Sequence, residues 1–313
     1  MGAHVRFDRH IHIANKTWSN GVLSHLGYED IDEQTLNEIV NNKKLKWIQI
    51  SGYLPNEGYE KIDHILSLRP DITFRLFHFL DNDDVDISFL LNMPHVKRLQ
   101  IDSIDCRNNP QRINLSVLAE LRLVSLRIEC FDLRDYEFVQ YLSDELEELS
   151  IMADTMSGGI NFECSWLLKY RNLQTLWLGK KAKKKIETIS QLPKLKSLSL
   201  RGIKITDFSF LCQMNLEKLA LLWNSNNNLH ELAELKSLKE IELWRINKLS
   251  DISFIKELTN LEVIKLQDLK HVNNLPDLSK HTNLQSIFLI DTGIDVNVLP
   301  DYLQEKISNW DDR

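Results

Sequence analysis

His10 and His12 stand one residue apart, so on an extended strand both imidazoles fall on the same side, where a hydrolase-type metal site could begin. A working site needs further ligands and a carboxylate placed to move a proton. Nothing else in the sequence supplies them at a recognisable spacing, and solvation of a sheet edge is the better reading of the pair. The run Asp81-Asn82-Asp83-Asp84-Val85-Asp86 has the acid density of a calcium loop. Its spacing does not fit one: Val85 takes the third ligand position, Asp86 replaces the required glycine, and Asn92 stands where the bidentate glutamate belongs. A solvated turn ending in a capping Asp86 is expected instead. Lys180, Lys181, Lys183, Lys184 and Lys185 put five cations within six residues. Such a run can meet a phosphate backbone, but it lacks interleaved aromatics, so a solvated loop is expected and no nucleic-acid partner. No glycine-rich phosphate loop, HExxH or GxSxG spacing occurs. The expectation is a non-enzyme without cofactors.

The cysteines Cys106, Cys130, Cys164 and Cys212 form no CxxC pair and read as reduced, buried thiols. The first residues hold no apolar signal core, Arg6 stands where a myristoylation signal needs Ser or Thr, and no stretch reaches the ~20 apolar residues of a membrane span. These features point to a cytoplasmic protein with no membrane partner. Across 313 residues, 38 Lys and Arg oppose 45 Asp and Glu, a net charge of −7, so no global cationic field exists. Leucine supplies 51 residues, against 17 for Gly and Pro combined, which excludes collagen-like and disordered classes and indicates that leucine is placed systematically.

The placement is a repeat. The hexad apolar-x-x-apolar-x-apolar occurs at Leu173/Leu176/Leu178, Leu195/Leu198/Leu200, Leu216/Leu219/Leu221, Leu238/Ile241/Leu243, Leu261/Ile264/Leu266 and Leu284/Ile287/Leu289, with starts 21 to 23 residues apart. Leu45/Ile48/Ile50, Val96/Leu99/Ile101, Leu123/Leu126/Ile128 and Leu146/Leu149/Ile151 continue it upstream, with a degenerate unit near Ile72. A second signature precedes three hexads: Asp86-Ile-Ser-Phe89-Leu90, Asp207-Phe-Ser-Phe210-Leu211 and Asp251-Ile-Ser-Phe254-Ile255. There the Asp can accept from the first free N–H groups of a short helical turn, while the Phe and the following aliphatic are expected to enter the core. Each unit therefore reads strand, turn, short helix or 3₁₀ segment, turn, and needs its neighbours to bury its apolar side.

These units resemble leucine-rich repeats, in the style of bacterial internalin-like units of about 22 residues; LTNLEVIKL at 258–266 and HTNLQSIFL at 281–289 carry the likeness most strongly. The resemblance implies an α/β solenoid, with a curved parallel sheet on the concave side, short helices or 3₁₀ turns on the convex side, and a binding rather than catalytic role. One departure is clear. The position that the family fills with Asn, Cys or Thr reads Lys181, Ile203, Asn224, Ile246, Leu269 and Thr292, so apolar packing must replace most of the usual side-chain ladder.

The organisation expected is an N-terminal strand and helix cap over 1–44, about eleven repeats over 45–290, and a C-terminal cap over 291–313. Asp32 is the expected N-cap of a helix over 31–42, and 297–310 patterns as an amphipathic helix through Leu299, Tyr302, Leu303, Ile307 and Trp310.

With the hexad leucines inward, the intervening residues line the concave face. Trp177, Arg201, Leu222, Trp244 and Phe288 bring to it the residue types enriched at binding hot spots, with Glu242 beside them. Arg127, Glu147 and Glu148 make its N-terminal part more charged, suited to orienting a partner. A monomer that binds another protein on this face is the expected function. The acid excess suggests a basic partner, as for an immunity-type or inhibitory protein in a bacterial cytoplasm. An exported effector and a metal-dependent enzyme built on His10 and His12 are the alternatives.

Overall fold

A computed structural model of the chain describes residues 9–16, 25–79, 84–226 and 228–308. It divides into two compact units, Met1–Phe162 and Glu163–Arg313.

In the first unit, β1 (His10–Ala14) pairs in parallel with β2 (His25–Gly27) on one side and β3 (Trp47–Ile50) on the other. Parallel pairing continues through β4 (Thr73–Phe77), β5 (Arg98–Asp105), β6 (Ser125–Phe131) and β7 (Glu148–Ala153). The degenerate unit near Ile72 is thus a full repeat, its strand being β4. The second unit holds β8 (Thr175–Lys180), β9 (Ser197–Arg201), β10 (Lys218–Leu222), β11 (Glu240–Trp244), β12 (Val263–Gln267) and β13 (Ser286–Ile290), again parallel and each paired with the next. In both units the hexad leucines and isoleucines interlock behind the strands; Leu198, Leu200, Ile241 and Leu243 are fully buried.

Each parallel pair needs a crossover, and here most crossovers are 3₁₀ segments of three to six residues. Asp86, Asp207 and Asp251 do start them: the N–H groups of Ser88, Ser209 and Ser253 donate to the carboxylates at 2.7 to 2.8 Å. The same turn recurs at Asn114, Asp135, Asn228, Asp277 and Asp295, where the following residues differ from the Ser-Phe signature. The core residues of the signature meet the expectation in part. The aliphatics Leu90, Leu211 and Ile255 are buried as expected, and so is Phe254, whereas Phe89 and Phe210 are only half-buried. Ile87, Phe208 and Ile252, directly after the Asp, are buried as well, because a 3₁₀ turn repeats every three residues and brings the first and fourth positions after the Asp to the same side.

Two α-helices stand among the described residues of the first unit. Asp32 caps α1 (Glu33–Asn41), accepting from the Thr35 N–H at 2.8 Å as the sequence suggests. The longer α2 (Asn56–Leu68), which hexad reading passes over, buries Tyr59, Ile62, Ile65 and Leu66. At the C-terminus the expected single helix is broken. Val296–Val298 is a 3₁₀ turn and α3 spans only Asp301–Gln304, because Pro300 has no N–H to continue the first turn into the second. Leu303 is buried as expected, Val298 is exposed, and Ile307 bridges to Ile287. Trp310, the chain start through Asp8, and Asp81, Asn82 and Asp83 of the acidic run lie outside the described residues.

Candidate partner-binding face

Strand register in the second unit aligns every outward position. Gly179, Arg201, Leu222, Trp244, Gln267 and Ile290 form one row across β8 to β13, and Trp177, Ser199, Ala220, Glu242, Lys265 and Phe288 form another. Arg201, Leu222 and Trp244 are therefore neighbours on successive strands, as hexad spacing implies. Their exposure is less uniform than the sequence suggests. Trp177, Arg201 and Trp244 are half-buried, but Leu222 is 7% and Phe288 8% exposed, so neither is the open apolar contact expected of it. In the strand register Leu222 stands between Arg201 and Trp244. Phe288 is on β13, the last strand described, where Ile287 also pairs with Ile307 of the C-terminal segment.

The residue after each outward row completes the site. Lys180, Gly202, Trp223, Arg245, Asp268 and Asp291 all adopt left-handed backbone, φ from 50° to 64°. This conformation turns the chain out of the sheet while one more N–H reaches the next strand: Gly202 to Leu222, Trp223 to Trp244, Arg245 to Gln267 and Asp268 to Ile290, at 2.7 to 2.9 Å. Left-handed backbone costs a bulky residue about 1–2 kcal/mol, so Trp223 needs compensation. Its indole receives the Arg201 guanidinium at 4.3 Å, that of Arg245 at 5.1 Å and the Lys180 ammonium at 5.7 Å, and it meets Trp244 edge-on at 5.7 Å. Trp244 Nε1 donates to Asp268 Oδ2 at 2.9 Å, and Arg245 makes an ion pair with the same carboxylate. The Trp244 bond, then Arg245, hold the Asp268 carboxyl below its ordinary range despite partial desolvation.

After these turns the ladder position is apolar, as expected: Ile203, Ile246 and Leu269 are buried, and Ala182 takes the inward place beside exposed Lys181. Asn224, 4% exposed, makes no side-chain hydrogen bond among the described residues, so it does not act as a ladder asparagine. Thr292 accepts weakly from the Ile294 N–H at 3.4 Å.

The first unit presents a different face. Arg75 spans Asp102 and Gln49 at 2.8 to 3.2 Å, and Gln100 also donates to Asp102. Arg127, exposed, pairs with Glu129 at 2.8 Å, Glu148 pairs with Arg98 at 2.8 Å, and Glu147 is half-buried beside it. The charged residues expected to orient a partner are thus largely engaged with one another.

His10 and His12 are on β1, and His12 packs against His25 with ring centroids 4.4 Å apart. Burial, then the charges of His25 and His10, push the His12 pKa down to about 4. Among the described residues no group of three His, Cys, Asp or Glu is arranged to hold a metal. All four cysteines are free thiols; burial raises Cys106 to about 11, Cys164 to about 12, and Cys130 well above its ordinary value. Such thiols are poor nucleophiles. The lysine run is exposed where β8 ends, and Lys184 and Lys185 pair with Glu163, whose carboxyl is drawn down to about 2 by Lys185, Ser165 and Lys184. No helix among the described residues is long and apolar enough to cross a membrane.

No family model matches the chain, and no curated protein matches it. Among solved structures, an internalin of Listeria monocytogenes is 18% identical, with a TM-score of 0.48 over 83% of this chain and 78% of that one. Internalin C2 of the same organism is 23% identical, with a TM-score of 0.39 over 56% of this chain and 74% of its own. The Toll–Spätzle complex of Drosophila gives 14% identity and a TM-score of 0.47, covering 91% of this chain and 44% of that one. Within each unit, parallel strands in register, inward hexad leucines and short 3₁₀ returns give this chain the fold of a leucine-rich-repeat solenoid.

Proposed function

We propose that the protein is a non-catalytic binding module that recognises another protein on the outward side of β8 to β12. The observation that carries this reading is that Arg201 and Trp244 in one outward row and Trp177 in the adjoining row are half-buried and held in register by paired strands. Tryptophan and arginine fixed on a scaffold lose little side-chain entropy on binding and dominate interface energies. Glu242 and the cluster around Trp223 extend the same surface. The acid excess of the chain, a net −7 overall that lies in Met1–Phe162 rather than behind this face, is the support for an overall basic partner drawn by long-range attraction, and with it for an inhibitory or immunity-type role of an internalin-like, monomeric, cytoplasmic protein. The test is affinity capture from source lysate with wild type and a Trp177→Ala/Trp244→Ala variant of matched melting temperature. A protein retained by wild type and lost by the variant is the expected result; equal retention would remove this face from consideration.

A further inference from the structure

The chain as a whole is acidic, yet Glu163–Arg313 carries 22 Lys and Arg against 19 Asp and Glu, a net +3, while Met1–Phe162 carries 16 against 26, a net −10. Within the second unit the cations concentrate where the strands end. The segments 180–185, 201–204, 223–226, 245–248 and 268–271 hold ten Lys and Arg and a single carboxylate, Asp268; the corresponding turn after β13 adds Asp291. Asp268 is already engaged by Trp244 and Arg245, and Glu163 answers only Lys184 and Lys185. Among the described residues Arg201 makes no ion pair, its Nε is buried without an acceptor, and its guanidinium carbon lies over the Trp223 ring at 4.3 Å. The neighbouring Trp223 Nε1 is likewise buried without an acceptor. A planar fork, fixed on a strained tryptophan and flanked by Lys180 and Arg245, suits the two oxygens of a carboxylate.

We propose that this strand-end edge, centred on Arg201 and Trp223, binds the carboxylates of an acidic segment on the partner protein. The inference rests on the protein-binding reading above and adds the chemistry of the segment that lands beside that row. It concerns this segment alone and is independent of the partner's net charge. A nucleic acid is the less suitable polyanion. Cations already lie over the Trp223 ring and Trp244 meets its edge at 79°, which leaves no platform for a stacked base.

The test is fluorescence anisotropy of a labelled, end-capped hexaglutamate peptide titrated with the full chain, beside hexaglutamine and oligothymidylate probes. Expected is binding of hexaglutamate alone, weakening as salt rises. Arg201→Lys, which keeps the charge but loses the fork, is expected to lower that affinity about 10-fold, against less than about 3-fold for Lys181→Gln. Equal binding of hexaglutamate and hexaglutamine would overturn the proposal. So would equal effects of the two substitutions, which would show an undirected field, and so would tighter binding of oligothymidylate. The comparison of probes needs no variant and therefore stands even if Arg201→Lys fails to fold. If the acidic peptide fails while the Trp177→Ala/Trp244→Ala variant still loses its captured protein, the binding function holds and only this inference falls.

Discussion

On the outward strands of the first unit, Arg75 reaches Asp102 and Gln49, Arg98 reaches Glu148, and Arg127 reaches Glu129. On those of the second, Lys218 and Lys265 flank Glu240, but Arg201 lies on an indole, and among the described residues its strand neighbours are Gly179 and Leu222 rather than a carboxylate. The same repeat thus displays charge in two ways. Arginines answered within the sheet are tied to neighbouring positions, Arg75 to the strands on both its sides, Arg98 across β6 and Arg127 within its own strand, and a partner would have to displace existing bonds to use them. An arginine packed on tryptophan has its position fixed without committing its charge to a carboxylate of the same sheet. The difference separates residues that stabilise from residues that recognise, and substitution can tell the two apart.

The largest expected effect on stability is at Asp102. It is 4% exposed and accepts from Arg75 and Gln100, so Asp102→Ala leaves the buried Gln100 amide without its acceptor and the half-buried Arg75 guanidinium with Gln49 alone, costing about 2 kcal/mol in denaturant unfolding. By contrast Arg201→Gln is expected to change unfolding free energy by less than ~1 kcal/mol, because it breaks no ion pair and loses only stacking on Trp223. Equal costs at the two sites would erase the distinction.

Acid sharpens the comparison further. The His12 pKa is depressed to about 4 in the folded chain, so between its ordinary 6.5 and 4 the unfolded state binds the extra proton and stability falls as pH falls. The half-exposed ring limits the loss to about 2 kcal/mol after screening, and His12→Gln should flatten thermal stability over that window. Glu163 in the second unit works in a lower range: its lowered pKa gives stability that is present above about 4.5 and lost as pH falls toward 2. Hydrogen exchange followed by peptide is expected to show the first unit loosening at a higher pH than the second.

The smallest effect concerns the strand-end turn. Gly202 has φ of 64°, and a Cβ there would sit 3.1 Å from the flexible Lys180 side chain, so Gly202→Ala is expected to cost about 1 kcal/mol through backbone strain alone. A neutral result would mean that the left-handed turn relaxes in solution.

Much of this architecture was legible in the chain. Hexad spacing set the strands from β3 to β13 and placed Arg201, Leu222 and Trp244 side by side, because a period of two allows only one set of residues to face inward. It did not reveal that Leu222 and Phe288 are covered, since exposure depends on neighbours whose side-chain directions the pattern leaves open. Trp223 and Arg245 were missed for a different reason. They stand two residues beyond the last hexad leucine, outside the apolar code, in a turn set by backbone dihedrals. The signal was present in the same column, where Gly202, Asp268 and Asp291 are residue types that tolerate positive φ. The helix α2 and the break at Pro300 escaped because repeat matching took precedence over helix-period and proline reading at both ends.

The most direct measurement is parallel affinity capture with two double variants, Trp177→Ala/Trp244→Ala in the second unit and Arg98→Ala/Arg127→Ala in the first, with melting curves for each. Expected is loss of the captured partner with the tryptophan pair and retention with the arginine pair, whose substitution shows instead as a lowered melting temperature. Loss with the arginine pair and retention with the tryptophan pair would place recognition on the first unit and contradict the division of roles between the two faces.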